Sequence, residues 1–410
     1  MTKVQNLPET AKNSEIDKGG TTRKPSKIDE IENFLLNNYE VRINVITNTI
    51  EKRPKTSNEP FTAINDTQLK YELFKAGYTK FDGELKALLG SEVIHKYDPF
   101  KEYFGQLPVY TYTEPDYIKQ LCTYVQTNDQ TWFEIMFKKM LVRVVSQALG
   151  MPQFNKQCFT LVGKQGDGKT SFFDFLVPPA LRSYYKKNYD FHGGRHSKFS
   201  LVQNFIINLD ELAQFDKKDL NNEFKATLSE NYVKYAPLFS STEVSFARRA
   251  SFVATTNKHD FLSDETGSVR WVIFEVSSIN HDNGGASGYA QIDIDRVWAQ
   301  AYALFMRDFK GDLTPDDISQ NEILNRRFMR VSAEMEVIAK HFVPGDKNDP
   351  NSHFQTASTI EKRLRDNGYG KLSVYQIGHA MKMLGFQGLS KWNAKLKYSE
   401  KGYFVSEYNF

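Results

Sequence analysis

Residues 163–170 have the sequence Gly163-Lys164-Gln165-Gly166-Asp167-Gly168-Lys169-Thr170. This octapeptide matches G-x-x-x-x-G-K-[ST] at every fixed position, the pattern of a phosphate-binding loop. The apolar residues 159–162 before it favour a strand, and residues 171–176 after it favour a helix that stops at Pro178-Pro179. Backbone N–H groups of such a loop surround phosphate oxygens, and the helix N-terminus favours negative charge. We therefore predict a nucleotide-binding α/β domain, with a chance glycine-rich turn as the minor alternative.

The loop residues receive distinct roles in this prediction. Lys169 is expected to reach the β- and γ-phosphates of ATP, and the Thr170 hydroxyl to ligate Mg²⁺. ATP and Mg²⁺ are therefore the predicted cofactors. The predicted nucleotide-binding residues are Gly163, Gln165, Gly166, Asp167, Gly168, Lys169, Thr170 and Ser171.

Polar residues follow two further strand-like runs. Asp210 and Glu211 come directly after the apolar residues 205–209, and Asn257 follows residues 252–256. At a strand end, Asp210 can hold Mg²⁺ and Glu211 can polarise an attacking water. In ring ATPases an Asn at the place of Asn257 positions that water. Ordinary capping after a strand is the alternative for each, but the order of the three motifs favours catalysis by Lys169, Asp210, Glu211 and Asn257.

Composition excludes several classes of protein. The 410 residues carry a net charge of only +3, so a nucleic-acid partner must be held by local basic patches. The two cysteines, Cys122 and Cys158, exclude a disulfide scaffold and a cysteine-rich zinc site. The apolar runs, such as residues 271–274, fall far short of the ~20 residues that span a bilayer. With no secretion signal in the pattern of the first residues, we expect a cytoplasmic protein without a membrane partner.

The fold class predicted from these patterns is α/β, a P-loop core with a helical N-terminal region and a winged-helix-like C-terminal domain. Strand-like runs alternate with helical ones in the middle of the chain, which indicates a parallel sheet. The predicted divisions are a disordered arm (1–28), an N-terminal accessory domain (29–110), a helical region leading into the ATPase (111–150), the P-loop ATPase core (151–280), a helical extension (281–345) and the winged-helix-like domain (352–410).

The last sixty residues differ in charge from the rest of the chain. Residues 352–410 contain nine Lys or Arg and four Asp or Glu. Two helical runs precede a predicted hairpin with strands at 389–398 and 403–408 and a turn at 399–402. Such a domain binds duplex DNA through phosphates, or it docks protein, and sequence leaves both open. The candidate DNA contacts near the hairpin are Lys391, Lys395, Lys397 and Lys401.

The motifs together resemble a known family. They are Gly163–Thr170, Leu209-Asp210-Glu211-Leu212, Arg248-Arg249, Thr255-Thr256-Asn257 and residues 261–271. This set looks like the virulence-associated protein E family of P-loop ATPases from phages and other mobile elements, over about residues 110–280. That family is related to superfamily 3 helicases, which are AAA+ proteins, and often acts beside a primase. The resemblance implies a hexameric ring that moves along single-stranded DNA, with ATP held between subunits and a separate primase as a partner.

The resemblance also implies roles for residues outside the loop. Arg270 becomes the arginine finger that reaches a neighbour's nucleotide, with Arg248 and Arg249 as competing candidates and a surface salt bridge as the alternative. Superfamily 3 relatives place a pore hairpin where residues 232–246 lie. There Lys234 would contact phosphate and Tyr235 would stack on a base, although an ordinary surface hairpin fits as well.

The function that these inferences favour is an ATP-dependent DNA helicase or translocase that serves replication of a phage or mobile element. The alternative is a regulatory or defence-type AAA+ ATPase that switches its assembly state without unwinding DNA. A small-molecule kinase is disfavoured by the Asp210-Glu211 pair, by Asn257 and by the candidate trans arginine. DNA stimulation of hydrolysis separates the first two functions.

Overall fold

A computed structural model gives the positions of most of the chain. The residues it describes are 25–152, 154–210, 212, 218–235, 243–262, 269–281, 287–394 and 397–407. Glu211, Lys395, residues 263–268 of the family motif and the tip of the predicted pore hairpin therefore lie outside the described residues. So does most of the predicted N-terminal arm, whose last residues, Lys27 and Ile28, already belong to the first helix.

The chain divides into two compact units, Met1–Glu102 and Tyr103–Phe410. The first contains a four-stranded sheet in the order β3-β2-β1-β4, in which β1 is antiparallel to β2 and parallel to β4. Its elements are α1 (Lys27–Asn38), β1 (Tyr39–Asn44), β2 (Thr49–Pro54), β3 (Thr62–Ala63), α2 (Asp66–Lys75), α3 (Asp82–Leu89) and β4 (His95–Tyr97). A mixed α/β unit thus stands where the sequence favoured a helical region.

Apolar faces of the three helices form the core of this unit. Ile31, Leu69 and Leu85, one from each helix, are fully or almost fully buried in a common cluster. The unit ends before the predicted boundary at residue 110. Tyr110 belongs to the second unit, where its ring contacts that of Tyr117.

The second unit is built on a six-stranded sheet in the order β5-β12-β6-β11-β8-β7. Its elements up to the last of these strands are α4 (Pro99–Gln106, which crosses the division), α5 (Tyr117–Cys122), β5 (Val125–Thr127), α6 (Gln130–Ala148), β6 (Cys158–Val162), α7 (Lys169–Leu176), β7 (Tyr185–Lys187), α8 (Gly194–Gln203), β8 (Ile206–Leu209), α9 (Lys218–Ser229), β9 (Tyr232–Tyr235), β10 (Val244–Ala247), β11 (Ser251–Thr256) and β12 (Trp271–Ile279).

Five of the six strands run parallel, and only β5 is antiparallel to its neighbour. The strands β6, β8 and β11 are buried along their whole length, as strands covered by helices on both faces must be. In this parallel register the carboxyl ends of β6, β11 and β8 lie side by side at one edge. That edge brings together the residues that follow the three strands, and the predicted α/β class is confirmed.

Helices and a small sheet complete the second unit. The elements are α10 (Ile294–Met306), α11 (Pro315–Asn325), α12 (Ala333–His341), β13 (Phe342–Pro344), β14 (His353–Gln355), α13 (Ala357–Asp366), α14 (Val374–Met383), β15 (Gly388–Asn393) and β16 (Tyr398–Glu407). β16 pairs with β13, β14 and β15. Ile338 of α12 and Phe342 of β13 share one core with Ile360, Ile377 and Val405, so this C-terminal module begins before residue 352.

The C-terminal hairpin has a different register from the predicted one. Asn393 pairs with Tyr398 and Ser390 with Lys401, so the connection lies at residues 394–397 and the predicted turn at 399–402 is wrong. Gly402 suggested a turn, but its role is close packing. A Cβ at Gly402 would lie 2.6 Å from the Gln355 carbonyl oxygen and 2.7 Å from the Phe354 ring. Among the described helices, none combines the length and hydropathy of a membrane-spanning segment.

Candidate nucleotide site

The phosphate loop joins β6 to α7 through a tight backbone path. The Gly163 N–H donates to the Thr256 carbonyl at 3.1 Å, which ties the loop to the end of β11. A Cβ at Gly163 would lie 2.9 Å from the Val276 carbonyl oxygen, so only glycine fits. Gly168, at the start of α7, has a φ of 81°, in the left-handed region that favours glycine. The glycine spacing of the motif is thus required by this loop.

An open pocket of about 250 Å³ lies at the mouth of the loop, on the carboxyl edge of the sheet. Six of the eight predicted nucleotide-binding residues line it; Gly163 and Asp167 form the loop behind. The lining residues are Gln165, Gly166, Gly168, Lys169, Thr170, Ser171, Asp210, Thr255, Thr256 and Asn257. The loop, the acidic strand end and the polar strand end therefore surround one cavity.

Lys169 is buried and points back across the loop. Its Nζ donates to the carbonyl oxygens of Gly163 at 2.8 Å and Lys164 at 2.5 Å. Burial lowers the pKa of Lys169, and the carboxylates of Asp167 and Asp210 oppose that shift. These two carbonyl contacts fix the amine at the mouth of the loop, where it can meet phosphate oxygens.

One carboxylate oxygen accepts hydrogen bonds from two hydroxyls at this edge of the sheet. Asp210 Oδ1 accepts from Thr170 Oγ1 at 2.9 Å and from Thr255 Oγ1 at 2.6 Å. The predicted magnesium pair, Thr170 and Asp210, therefore lies together. Thr255 was not predicted as a functional residue. Its signal was a hydroxyl near the end of β11, two residues before the Asn257 that was selected.

Oxygen atoms of this set fit Mg²⁺. The ion prefers one or two carboxylates with substrate phosphates and water, and Thr170 and Asp210 supply two hard oxygen donors within 2.9 Å of each other. Elsewhere among the described residues, no group of three His, Cys, Asp or Glu is arranged to hold a metal.

Two of the three candidate finger arginines have structural roles. Arg248 is fully buried; it donates to the Thr227 carbonyl at 3.1 Å and to the Asn155 carbonyl and the Gln147 side chain. Burial lowers its pKa to about 10, so it remains charged at neutral pH. Arg249 donates to the Ala148 carbonyl, and its guanidinium lies against Gly150. The Arg248 guanidinium is therefore enclosed within its own subunit, whereas that of Arg249 is only partly buried.

Arg270 lies at the opposite edge of the sheet from the phosphate loop. It precedes Trp271, which pairs with Cys158 at the start of β6, whereas the loop follows Val162 at the end of that strand. The five residues of β6 separate the two edges by roughly 16 Å. Arg270 is partly exposed, and its Nη2 donates to Ser229 Oγ at 3.1 Å.

The backbone next to Arg270 is held by the helical extension. Side-chain amides of Asn321 and Asn325, both on α11, donate to the Trp271 carbonyl at 2.5 Å and 2.8 Å. Both asparagines are buried. The start of β12 is thus bonded to α11 as well as to β6.

Residues 107–330 match the virulence-associated protein E-like domain, more than half of the chain. The chain belongs to the virulence-associated protein E-like family. No curated protein matches it. It is similar to a solved structure described as the apo NrS-1 C-terminal region, at 11% identity and a TM-score of 0.49, covering 92% of this chain and 98% of that one. It is also similar to one described as SCCmec type IV Cch, an active helicase, at 10% identity and a TM-score of 0.37, covering 90% and 93%.

In this virulence-associated protein E-like chain the predicted pore hairpin is present in part. β9 and β10 pair antiparallel, with Lys234 opposite Ser245. Tyr235 is only 5% exposed and stacks on Phe246 at 4.6 Å, so its prediction as a base-stacking platform is wrong. Alternation along β9 instead exposes Tyr232, at 57%, on the same face as Lys234. The sequence selected the wrong tyrosine because both flank the same lysine within two residues.

The described lysines among the predicted C-terminal DNA contacts have different surroundings. The Lys391 amine lies 5.5 Å from the centre of the Phe354 ring, which directs it to the body of the module. Lys397 lies in the hairpin connection with a φ of 55° and is exposed. Lys395 lies outside the described residues.

Proposed function

We propose that the chain is an ATP-dependent DNA motor, a helicase or translocase, that acts in replication of a phage or mobile element. One observation carries the proposal: a single carboxylate, Asp210, bonds the loop hydroxyl of Thr170 and the strand-end hydroxyl of Thr255 at the mouth of a phosphate loop. This arrangement couples nucleotide binding to two neighbouring strands, as an ATP-hydrolysing motor requires.

Each residue around the pocket has a role in this proposal. Lys169 binds the β- and γ-phosphates, and Thr170 and Asp210 would hold Mg²⁺, which neutralises phosphate charge when bound. Glu211, next to Asp210 in sequence, takes the proton of the attacking water. Asn257 lines the pocket and orients that water. Gln165, Gly166, Gly168 and Ser171 surround the phosphates.

In a ring of subunits, a neighbouring subunit supplies the further positive charge that the γ-phosphate needs during hydrolysis. Arg270 lies roughly 16 Å from the phosphate loop of its own chain, too far to reach its own γ-phosphate. We therefore assign it as the finger that acts on a neighbour's nucleotide, in a homo-oligomer that the family resemblance suggests to be a hexamer. Single-stranded DNA would run past Tyr232 and Lys234, the exposed aromatic and cationic pair of β9.

The C-terminal module has the element order of a winged helix. The order is α12, the strands β13 and β14, then α13 and α14, followed by the hairpin of β15 and β16, which supports the winged-helix-like assignment. The proposal includes cytoplasmic action, and a separate primase is the partner that the family resemblance implies.

The test is ATP hydrolysis by the purified protein with and without single-stranded DNA. We expect stimulation of several-fold by DNA, and no hydrolysis by Lys169→Ala, which loses the phosphate-binding charge. Lys234→Gln should keep the DNA-free rate and lose the stimulation, while Lys86→Gln, an exposed lysine of the first unit, should retain it. Hydrolysis that is indifferent to DNA would favour the regulatory ATPase, and wild-type rates in Lys169→Ala would refute the site.

A further inference from the structure

The positive charge of the C-terminal module resides in its lysines. Arg363 is paired with Glu407, and Arg365 with Glu361 at 3.4 Å. The third carboxylate, Glu400, accepts from Asn393 Nδ2 at 2.7 Å. These contacts hold the arginines and most carboxylates against the module. The lysines of residues 352–410 that are exposed and that no ion pair holds among the described residues are Lys362, Lys371, Lys382, Lys391, Lys397 and Lys401.

The hairpin presents a tryptophan beside two of these lysines. Trp392 pairs with Ser399, which places it diagonally across from Lys401 on the same face of the hairpin. Lys397 lies at the connection, close to the same end. Trp392 is 62% exposed, whereas Trp271 and Trp298 are buried. An exposed tryptophan flanked by two unpaired cations is a surface for a negatively charged partner with apolar parts.

One face of α14 continues this surface. Tyr375, His379 and Lys382 are spaced i, i+4 and i+7, so they share a side of the helix, and Tyr375 is 75% exposed. The buried side of the same helix carries Ile377 and Met381. The Tyr403 hydroxyl of β16 donates to the Gly378 carbonyl at 3.1 Å, which fixes the base of the hairpin against α14.

We propose that α14 and the β15–β16 hairpin form a docking surface for double-stranded DNA. Lysines that project outward as point charges match phosphates, while the arginines are already paired within the module. A helix with one exposed polar and aromatic side fits the major groove, about 12 Å wide. Trp392 adds apolar contact with sugar or base edges from the hairpin. This duplex surface is distinct from the single-stranded path assigned to β9 and does not depend on ATP.

Binding is measured with the full chain carrying Lys169→Ala, without nucleotide. The result then does not depend on whether the protein hydrolyses ATP. The probe is a fluorescein-labelled duplex of about 20 base pairs, followed by anisotropy over a salt series. Lys397→Gln/Lys401→Gln should weaken binding and lower the slope of log K against log salt by about 0.9 for each lost phosphate contact. The matched double variant Lys86→Gln/Lys310→Gln removes the same charge outside the C-terminal module and should leave the slope unchanged.

Tryptophan fluorescence gives a second readout. We expect the duplex to quench the emission of the parent, and the quenching to disappear in Trp392→Phe, because the other described tryptophans are less exposed. Equal weakening by both double variants would overturn the proposal, as would unchanged affinity and quenching in the hairpin variants. A single-stranded 20-mer that binds this surface more tightly than the duplex would also overturn it, as would variants that alter only self-association.

Discussion

Asp210 uses a single oxygen to accept from two hydroxyls. Both bonds end on Oδ1, so Oδ2 takes no part in either. A carboxylate held in this way keeps its position when the pocket fills, because rotation of its side chain would break both bonds. Hydrogen bonds to a charged group are each worth about 1.5–3 kcal/mol, enough to fix a side chain at a pocket mouth.

Thr255→Val removes one of these bonds and keeps the shape of the side chain. We expect kcat for ATP to fall about 10- to 100-fold, since small misplacements of a catalytic group have effects of that size. The Mg²⁺ concentration for half-maximal activity should rise. Thr160→Val is the control, a buried threonine in β6 whose hydroxyl bonds only within its own strand. An unchanged Mg²⁺ requirement in Thr255→Val would show that Asp210 does not depend on it.

Among the elements, α6, α9 and the segment between α6 and β6 are joined at one buried guanidinium. Arg248 donates to Gln147 at the end of α6, to Asn155 in the segment and to Thr227 near the end of α9. The Gln147 amide donates back to the Arg248 carbonyl. No carboxylate forms an ion pair with Arg248 among the described residues; its charge is stabilised by these acceptors and, at longer range, by Glu230.

Arg248→Ala should therefore destabilise the second unit by about 3 kcal/mol, because three buried acceptors lose a charged donor and a large buried side chain is removed. The measurement is urea unfolding followed by circular dichroism. Arg248→Lys should recover little, since an ammonium cannot reach all three acceptors. The exposed Arg195→Ala serves as the control and should change stability by less than about 0.5 kcal/mol. A loss of ATP hydrolysis at full stability would reinstate Arg248 as a finger.

The strands that carry the site were predictable because their ends are marked by polar residues after apolar runs. The three strands before Gly163, Asp210 and Asn257 all lie in the sheet as expected. The choice between two similar residues close together in the sequence was harder to predict. Tyr232 and Tyr235 differ only in the face of β9 they occupy, and a face is chosen by packing against Phe199 and Phe246, which no local pattern reveals.

Contacts between residues far apart in the sequence account for the other differences between the predictions and the structure. Gly402 has the local signature of a turn, yet it is required by Phe354, a residue about fifty positions earlier. Likewise Arg248 and Arg270 both lie beside strands in the sequence. Only the burial of Arg248 by α6 and α9 separates a structural arginine from one at the surface.

For the assembled molecule, the position of Arg270 predicts complementation between inactive variants. Arg270→Ala alone should reduce hydrolysis by about 10³-fold or more if the arginine acts as a finger. Mixing it with Lys169→Ala subunits creates interfaces that contain an intact Lys169 and an intact Arg270. Part of the hydrolysis should return in the mixture, measured as ATP turnover after co-refolding or subunit exchange.

The control for this mixture is Arg270→Ala with Arg270→Ala/Lys169→Ala, which offers no intact pair of these residues across any interface and should stay inactive. If the first mixture stays inactive although native mass spectrometry detects mixed oligomers, the trans assignment is wrong. Recovery in both mixtures would show that Arg270 is not required.

The side-chain amides of Asn321 and Asn325, which both donate to the Trp271 carbonyl, connect the start of β12 firmly to α11. The backbone after Arg270 leaves little freedom for the arginine to move alone, because Trp271 is hydrogen-bonded to α11 at two points and paired with β6 in the sheet. We therefore expect a displacement of Arg270 to move α11 with it. Since α12 of the C-terminal module follows α11 in the chain after a short connection, we expect such a displacement to be felt in that module as well.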